Sequence, residues 1–405
     1  AAEAALRPPV HLALVVDRSG SMEEAGKLAY AKVAAKALVT LLRPDDRLAI
    51  VEYDDRVTVL WPSSPVAAPE LVGRLIDGLK PRGSTNLAAG LSAGLAEFTR
   101  DRRPSFTCRT ILLSDGLANT GITDPRAIAE VAAKGRRNGV AVTTMGLGLS
   151  YNEDLMQAIA VGGGGRYYYI ESPAEMTRIY QAEMGKVLQQ TTRDLALWFE
   201  HGSAVEEVTV YGYPSETSGG RTSIAMEDLY GGDARSVLIR LRLAGVGAGD
   251  HEIGRLGLRY TDISDGREHA RVLPVSVRAS ADTALVARSV NVATATEAVL
   301  VIADDRHDHA VRAFESGNKA KALAVLDTLR LEVASAHRQF GDPKLGKKLE
   351  ALELERADMN RAEREPEYRA GYLKRSKEAF YGSKQGKRDK YLLGEDARGL
   401  EVENL

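Results

Sequence analysis

The stretch 10–22, VHLALVVDRSGSM, constrains this chain more than any other. An apolar run breaks without transition into a polar turn carrying Asp17, Ser19 and Ser21. The run 11–16 is short and β-branched toward its end, which predicts a buried strand. An Ala- and Leu-rich stretch then runs from Glu23 to Leu42, and two acids in its first turn, Glu23 and Glu24, suit a helix N-terminus. Strand, turn and helix in this order is the local geometry with which α/β proteins build sites at the carboxyl end of a sheet.

The spacing in the turn supplies chemistry. Asp17, Ser19 and Ser21 alternate and can converge on one point, with Gly20 giving the backbone freedom between them. One carboxylate and two hydroxyls form an all-oxygen set suited to a hard divalent cation. The set is too poor in charge for a closed Ca²⁺ cage and has no soft ligand for Zn²⁺. The competing reading is a polar turn whose serines only cap the helix. Two later stretches add to the first. Gly83-Ser84-Thr85-Asn86-Leu87 precedes a helical run over 88–98, and an apolar strand at 110–113 ends in Ser114-Asp115-Gly116. Each again delivers one oxygen-bearing side chain, so Asp17, Ser19, Ser21, Thr85 and Asp115 are expected at one rim of a sheet.

These residues resemble the von Willebrand factor type A family, whose metal-ion-dependent adhesion site is the pattern DxSxS, then a Thr, then an Asp. Here the pattern reads DRSGS, GSTNLAAGL and LLSDGLANTG. The stretches from Gly139 through Tyr151 and from Gly162 to Tyr168 look similar to that family as well, and the resemblance covers about residues 9–190. It implies a doubly wound, mainly parallel sheet. It also implies that Asp17, Ser19, Ser21, Thr85 and Asp115 hold Mg²⁺, with Mn²⁺ or Ca²⁺ as alternatives. Few protein charges then leave the cation electrophilic with one position open, which an Asp or Glu of a protein partner can fill. The implied function is metal-dependent protein binding without turnover. Cytoplasmic members serve as adaptors for AAA+ ATPase or kinase-type systems, which is the alternative in the same class.

A rival of another class is a Mg²⁺-dependent phosphatase, because an Asp at the end of a first strand is also how aspartyl-phosphate enzymes begin. Those use DxD, with the second acid as proton donor. Position 19 is Ser here, and no Ser-His-Asp arrangement is visible, since His11 is the one histidine of the first domain and lies inside the strand.

The chain of 405 residues suggests two or three domains. A formal net charge of −2 gives no bulk attraction for nucleic acid or membrane, so nucleic acid is not expected as a partner. No apolar run approaches the ~20 residues of a membrane span. The single cysteine, Cys108, forbids an intrachain disulfide and is expected as a small buried hydrophobe. That favours a cytoplasmic, reducing compartment slightly; the alternative is export or cell-surface display after removal of an N-terminal segment.

In chain order, 1–9 is a lead-in and 10–190 the α/β domain. There Asp54 and Asp55 are read as a turn joining strands at 47–53 and 57–61, with help to the metal site as the other reading. Helices are expected at 67–79, from Pro125 to Arg137 with Asp124 as cap, and from Asn152. The glycines 162–165 read as a turn into a strand at 166–170, not a phosphate loop, because no helix follows. From 191 to 281 only strands are legible, at 195–200, 205–212, 222–226, 236–243, 252–260 and 270–277, an antiparallel β-sandwich by their alternation and turns. His201, His251 and His269 are read as scattered surface histidines. A helical hairpin or bundle follows over 282–381, with one long helix at 284–303 and a hairpin broken at Gly317-Asn318. His307 and His309, beside Asp304 and Asp305, are read as a helix start rather than a metal site. The basic segment 372–390 is read as packing its aromatics, with binding of an acidic partner or nucleic acid as the other reading, and 382–405 as a charged tail.

Overall fold

The structure, a computed structural model, describes residues 8–100, 106–226, 228–231, 235–263 and 265–383. Most of the lead-in and nearly all of the charged tail, including Lys384, Lys387, Arg388 and Lys390, lie outside the described residues.

The apolar run at the start becomes strand β1 (Val10–Asp17), every residue of which is buried. Burial on both faces is what a continuous apolar run requires of a central strand in a parallel sheet. A 3-10 turn (Gly20–Gly26) leads to helix α1 (Lys27–Thr40). Then come β2 (Arg47–Tyr53), β3 (Val57–Pro65), α2 (Pro69–Asp77), α3 (Leu87–Arg100) and β4 (Thr107–Ser114). Helix α4 (Pro125–Arg137), β5 (Val140–Leu147), α5 (Glu153–Gly162), β6 (Gly164–Ile170) and α6 (Met176–Val187) complete the alternation. The sheet order is β3-β2-β1-β4-β5-β6. β3 is antiparallel to β2, and the other neighbours are parallel. Strand order reverses between β1 and β4, which is where sheets of this class open a crevice at their carboxyl ends.

Helices cover both faces. Leu12, Leu14 and Val16 of β1 share a core with α1, α2 and α6. On the other face α3 approaches through two glycines one turn apart. A Cβ on Gly90 would fall 2.6 Å from the Tyr53 ring, and one on Gly94 would fall 2.4 Å from Val15 Cγ2. The glycines let the helix lie directly on β1 and β2.

The expected helix from Glu23 does not start there. Ala25 (φ 50°) and Gly26 (φ 68°) are both left-handed, which breaks any helix before Lys27. Nor is Gly20 the residue whose conformation needs glycine; that place belongs to Gly26 and to Gly83 (φ 69°).

The second half contains antiparallel sheets. Its strands are β7 (Thr192–His201), β8 (Val205–Tyr211), β9 (Ser215–Ser218), β10 (Arg221–Ala225), β11 (Leu238–Leu243), β12 (Gly249–Asp262) and β13 (Glu268–Ala279). They form a five-stranded sheet, β13-β12-β7-β10-β9, and a two-stranded sheet, β11-β8. β9 carries no apolar residue (SETS), so alternation could not reveal it.

Helices α7 (Thr283–Arg288), α8 (Val292–Glu315), α9 (Lys319–Phe340), α10 (Pro343–Ala362) and α11 (Pro366–Gly382) follow. The expected single helix at 284–303 is two helices, because Asp282 and Asn291 each cap a separate start. His307 and His309 therefore sit inside α8, not at a helix start. The hairpin break at Gly317 (φ 85°) and the Asn318 cap is as read from sequence. Leu300, Val311 and Phe314 of α8 pack with Leu326 and Val333 of α9, Leu352 of α10 and Tyr372 of α11. Lys374 and Lys377 of the basic segment are buried, and Lys377 is paired with Glu315 at 2.8 Å.

The chain divides into two compact units. One comprises Ala1–Leu195, Glu227–Gly232 and Tyr260–His269; the other comprises Ala196–Met226, Asp233–Arg259 and Ala270–Leu405.

Candidate metal centre at the carboxyl end of the sheet

β1 ends in Asp17 and β4 in Ser114, the two strand ends that flank the reversal of strand order. Asp17 is fully buried, and its two oxygens are held from different directions. Oδ1 accepts the Ser19 N–H at 2.8 Å, which folds the turn back over the strand end. Oδ2 accepts the Ser114 hydroxyl at 2.7 Å and lies 3.4 Å from the Tyr53 hydroxyl. Tyr53 is itself fixed by donating to the Leu113 carbonyl at 3.0 Å. Burial next to Asp17 pushes the Tyr53 phenol well above its ordinary range, so it stays a neutral donor.

The hydroxyls converge as the spacing predicts. Ser19 Oγ is 3.1 Å from Ser21 Oγ, and Ser21 Oγ donates to Asp115 Oδ1 at 2.7 Å. Thr85 arrives on a separate loop and is held there by the loop after β4. Asn119 Oδ1 accepts the Thr85 N–H at 2.9 Å, and the Thr85 carbonyl accepts the Asn119 N–H at 3.2 Å. A Cβ placed on Gly116 would lie 3.3 Å from Thr85 Oγ1 and 3.6 Å from Ser21 Oγ, so both hydroxyls lie close to the backbone beside Asp115. All five sequence-predicted residues are thus brought to one place. Asp17, Ser19, Thr85 and Asp115 are buried there, and Ser21 is partly so.

The donor set fits a hard divalent cation. It is all oxygen, with two carboxylates and three hydroxyls, and it is drawn from three strand or loop ends of a rigid sheet. Burial pushes the Asp17 carboxyl up to about 6, against the hydrogen bonds from Ser19 and Ser114 that favour its charged form. A cation beside it would offset that desolvation.

The residues that hold the set in place were legible in the sequence only in part, Asp54 through the second of its two readings. Asp54, read as a turn former, is buried and accepts from Arg82 Nε at 2.9 Å. It also pairs with Arg18 at 3.0 Å. Its desolvation is outweighed by Arg82, the Arg56 N–H and the Arg18 charge, which hold its carboxyl below the ordinary range. Its carbonyl accepts the Asn86 N–H at 2.8 Å, and Gly20 N–H donates to Gly83 O at 3.1 Å. The Thr85 loop is therefore clamped on both sides. Lys27, the first residue of α1, was not singled out. Its Nζ lies 2.7 Å from Asp115 Oδ2.

The other candidate groupings do not match this one. In the group of His307, His309, Asp304 and Asp305, His307 pairs with Glu355 at 2.9 Å and Asp304 with Lys348 at 2.8 Å, so two of its four members are engaged by the protein itself. Asp262, Asp265 and His269 bring one ligand atom each within 4.8 Å of one another, with Asp265 and His269 exposed. Asp265 Oδ1 already accepts the Arg267 N–H at 2.8 Å. Cys108 is half-buried, and burial pushes its thiol up to about 12, which leaves it an unreactive thiol.

Comparison with known proteins agrees with this geometry. The family model described as von Willebrand factor type A domain matches residues 11–182. The Escherichia coli protein YfbK is 34% identical over 208 residues, 51% of this chain and 36% of its own length. The protein sll0103 of Synechocystis is 27% identical over 284 residues, 67% of each chain. The match thus spans about a third of the length of the first relative. A solved structure of a von Willebrand factor type A protein from Catenulispora acidiphila superposes with a TM-score of 0.67 at 16% identity. It covers 85% of this chain and 82% of that one, so the likeness of fold extends beyond the parallel sheet. No described helix is long and apolar enough to cross a membrane. Over residues 11–182, the stretch that the family model matches, the chain carries a von Willebrand factor type A domain.

Proposed function

We propose that Asp17, Ser19, Ser21, Thr85 and Asp115 hold a divalent cation, Mg²⁺ before Mn²⁺ or Ca²⁺, and that the site binds an acidic residue of a protein partner without turnover. Von Willebrand factor type A domains commonly mediate protein–protein interaction and metal-dependent binding. The observation that carries the proposal for this chain is the convergence of the five oxygen-bearing side chains at the strand-order reversal. When bound, the cation supplies a Lewis-acid position for a carboxylate. The protein's own part is to hold the ligands before the partner arrives. The Ser19 N–H and the Ser114 hydroxyl orient Asp17, Ser21 orients Asp115, and the Asn119 contact fixes Thr85.

The rim supports a protein partner. Leu117 (55% exposed) and Ile122 (51%) lie on the loop leaving β4, and Leu149 (44%) on the loop leaving β5. Large apolar side chains left in water on both loops of one site end suit a macromolecular contact. The phosphatase alternative is disfavoured because Ser19 stands where a second acid would donate a proton. We assign the binding role to a domain of residues 10–190, with 191–281 and 282–381 as further domains.

The experiment is a pull-down from source-cell lysate and surface fractions, with Mg²⁺ and again with EDTA, using wild type and Asp17→Ala. Circular dichroism establishes that the variant is folded. A partner retained only by wild type with metal is the expected result. A partner held equally with EDTA, or by Asp17→Ala, overturns the proposal.

A further inference from the structure

Lys27 is placed against two electrostatic preferences. Its side chain is 9% exposed, although lysine is seldom buried unless paired. It also opens α1, where the helix dipole disfavours a cation. The backbone imposes this position. Ala25 and Gly26, both left-handed, turn the chain sharply just before Lys27. Gly148, the residue after β5, packs beside the side chain: a Cβ there would lie in ordinary contact, 3.7 Å from Lys27 Cε. The ammonium then makes its short contact, 2.7 Å, with Asp115 Oδ2, while Asp115 Oδ1 accepts from Ser21. Its contacts with Ser21 O and Glu24 Oε2 are longer, both 3.4 Å.

We propose that Lys27 is a charge-setting residue of this site, shifting its preference from the cation toward the anionic ligand. This rests on the metal-binding reading above. Asp17 and Asp115 together carry two negative charges, enough to neutralise a divalent cation. Lys27 cancels one of them, because its other acidic contact, Glu24, is 73% exposed and screened by water. The loaded site then retains one positive charge, the charge that a single incoming carboxylate neutralises. The same positive charge repels the cation when it enters. In a buried site of reduced effective dielectric such a charge acts strongly over a few ångströms. Lys27 therefore weakens cation binding and strengthens binding of a carboxylate to the loaded protein.

The test is calorimetric titration of the metal-free full chain with Mg²⁺ and with Mn²⁺, for wild type, Lys27→Met, Lys27→Gln, Lys27→Arg and Asp17→Ala. Lys27→Met and Lys27→Gln are expected to bind the cation about tenfold or more tightly than wild type. Lys27→Arg, which keeps the charge, is expected to stay near wild type. Lys27→Gln retains a donor for Asp115, so it separates charge from a merely structural role and stands in if the Met variant does not fold. Thermal melting in EDTA reports folding for each. Unchanged or weaker cation binding in the folded neutral variants, with wild type still above Asp17→Ala, overturns the role of Lys27 alone. Wild type binding no better than Asp17→Ala overturns the metal reading and this inference with it.

Discussion

A buried carboxylate away from the candidate site offers a residue-scale test of the electrostatics. Asp228 is buried, and desolvation pushes its carboxyl up to about 6, against the charges of Arg136 and Arg109 and with Asp194 adding to the rise. Gln190 Nε2 donates to its Oδ2 at 3.0 Å. A carboxyl raised in the folded state binds a proton that the unfolded chain has already lost. Stability therefore falls as pH rises from about 4 to about 6 and stays lower above it, by up to about 3 kcal/mol. Asp17 adds a parallel slope in metal-free protein, so the informative quantity is the difference between wild type and variant. Asp228→Asn is expected to flatten the dependence and to be the more stable protein at pH 7. Urea denaturation at pH 4.5 and pH 7 measures this, and an unchanged difference between the two pH values would refute it. The same scale explains why Asp17 was legible and Lys27 was not. Asp17 announces itself by ending an apolar run. Lys27 meets Asp115 across 88 positions of sequence, and its neighbours predict only an ordinary helix surface.

At the scale of the element, helix α3 shows how a local sequence preference yields to packing. LAAGLSAGL places Gly90 and Gly94 on one face, and each would cost about 1 kcal/mol relative to Ala in an isolated helix. In the fold that face lies on Val15 and Tyr53, and no side chain fits between them. Gly94→Ala is therefore expected to destabilise the protein despite its better helix propensity. Overpacking of about 1–3 kcal/mol less the propensity gain leaves a net loss of up to about 2 kcal/mol. Chemical denaturation decides it, and a variant as stable as wild type would show that α3 can shift away. The 3-10 turn before α1 teaches the same lesson in reverse. Two acids and an Ala-rich run looked like a helix start at Glu23. The left-handed pair at 25 and 26 moves the start to Lys27, and with it the ammonium toward Asp115. Strand β9 and the α7/α8 break were lost for related reasons. The first has no apolar residue to betray it, and the second is decided by a cap, Asn291, in a stretch of otherwise helical composition.

Across the whole molecule, residues distant in sequence meet in the core of the α/β unit. Arg109 and Arg166 are buried in the unit's interior, and both guanidiniums lie over the Tyr230 ring, at 5.5 and 4.6 Å from its centroid. Arg109 also donates to the Tyr230 hydroxyl. Glu183 of α6 is an anion beside Arg109. It lies 3.6 Å from Arg109, accepts from Thr143, and accepts from Tyr168 at 2.8 Å. Tyr230 joins the α/β unit through these contacts although the chain reaches it only after β10. Glu183→Gln leaves the buried Arg109 guanidinium without this anion and is expected to cost about 3–5 kcal/mol, read as a large fall in the denaturation midpoint. A change under about 1 kcal/mol would show that Tyr230 and the ring contacts suffice.

The sequence by itself determined the class of the fold and the five candidate ligands. Apolar runs that end in oxygen-bearing turns can be buried only as central strands, and a parallel sheet brings such ends to one edge. Tertiary structure alone decided what surrounds those ligands. The Lys27–Asp115 pair, the Asp54 clamp and the Arg109–Tyr230–Glu183 cluster each join residues far apart in the chain. Their charges look like ordinary surface charges in sequence. Only burial, which removes water and forces each charge to find a partner, gives them their roles.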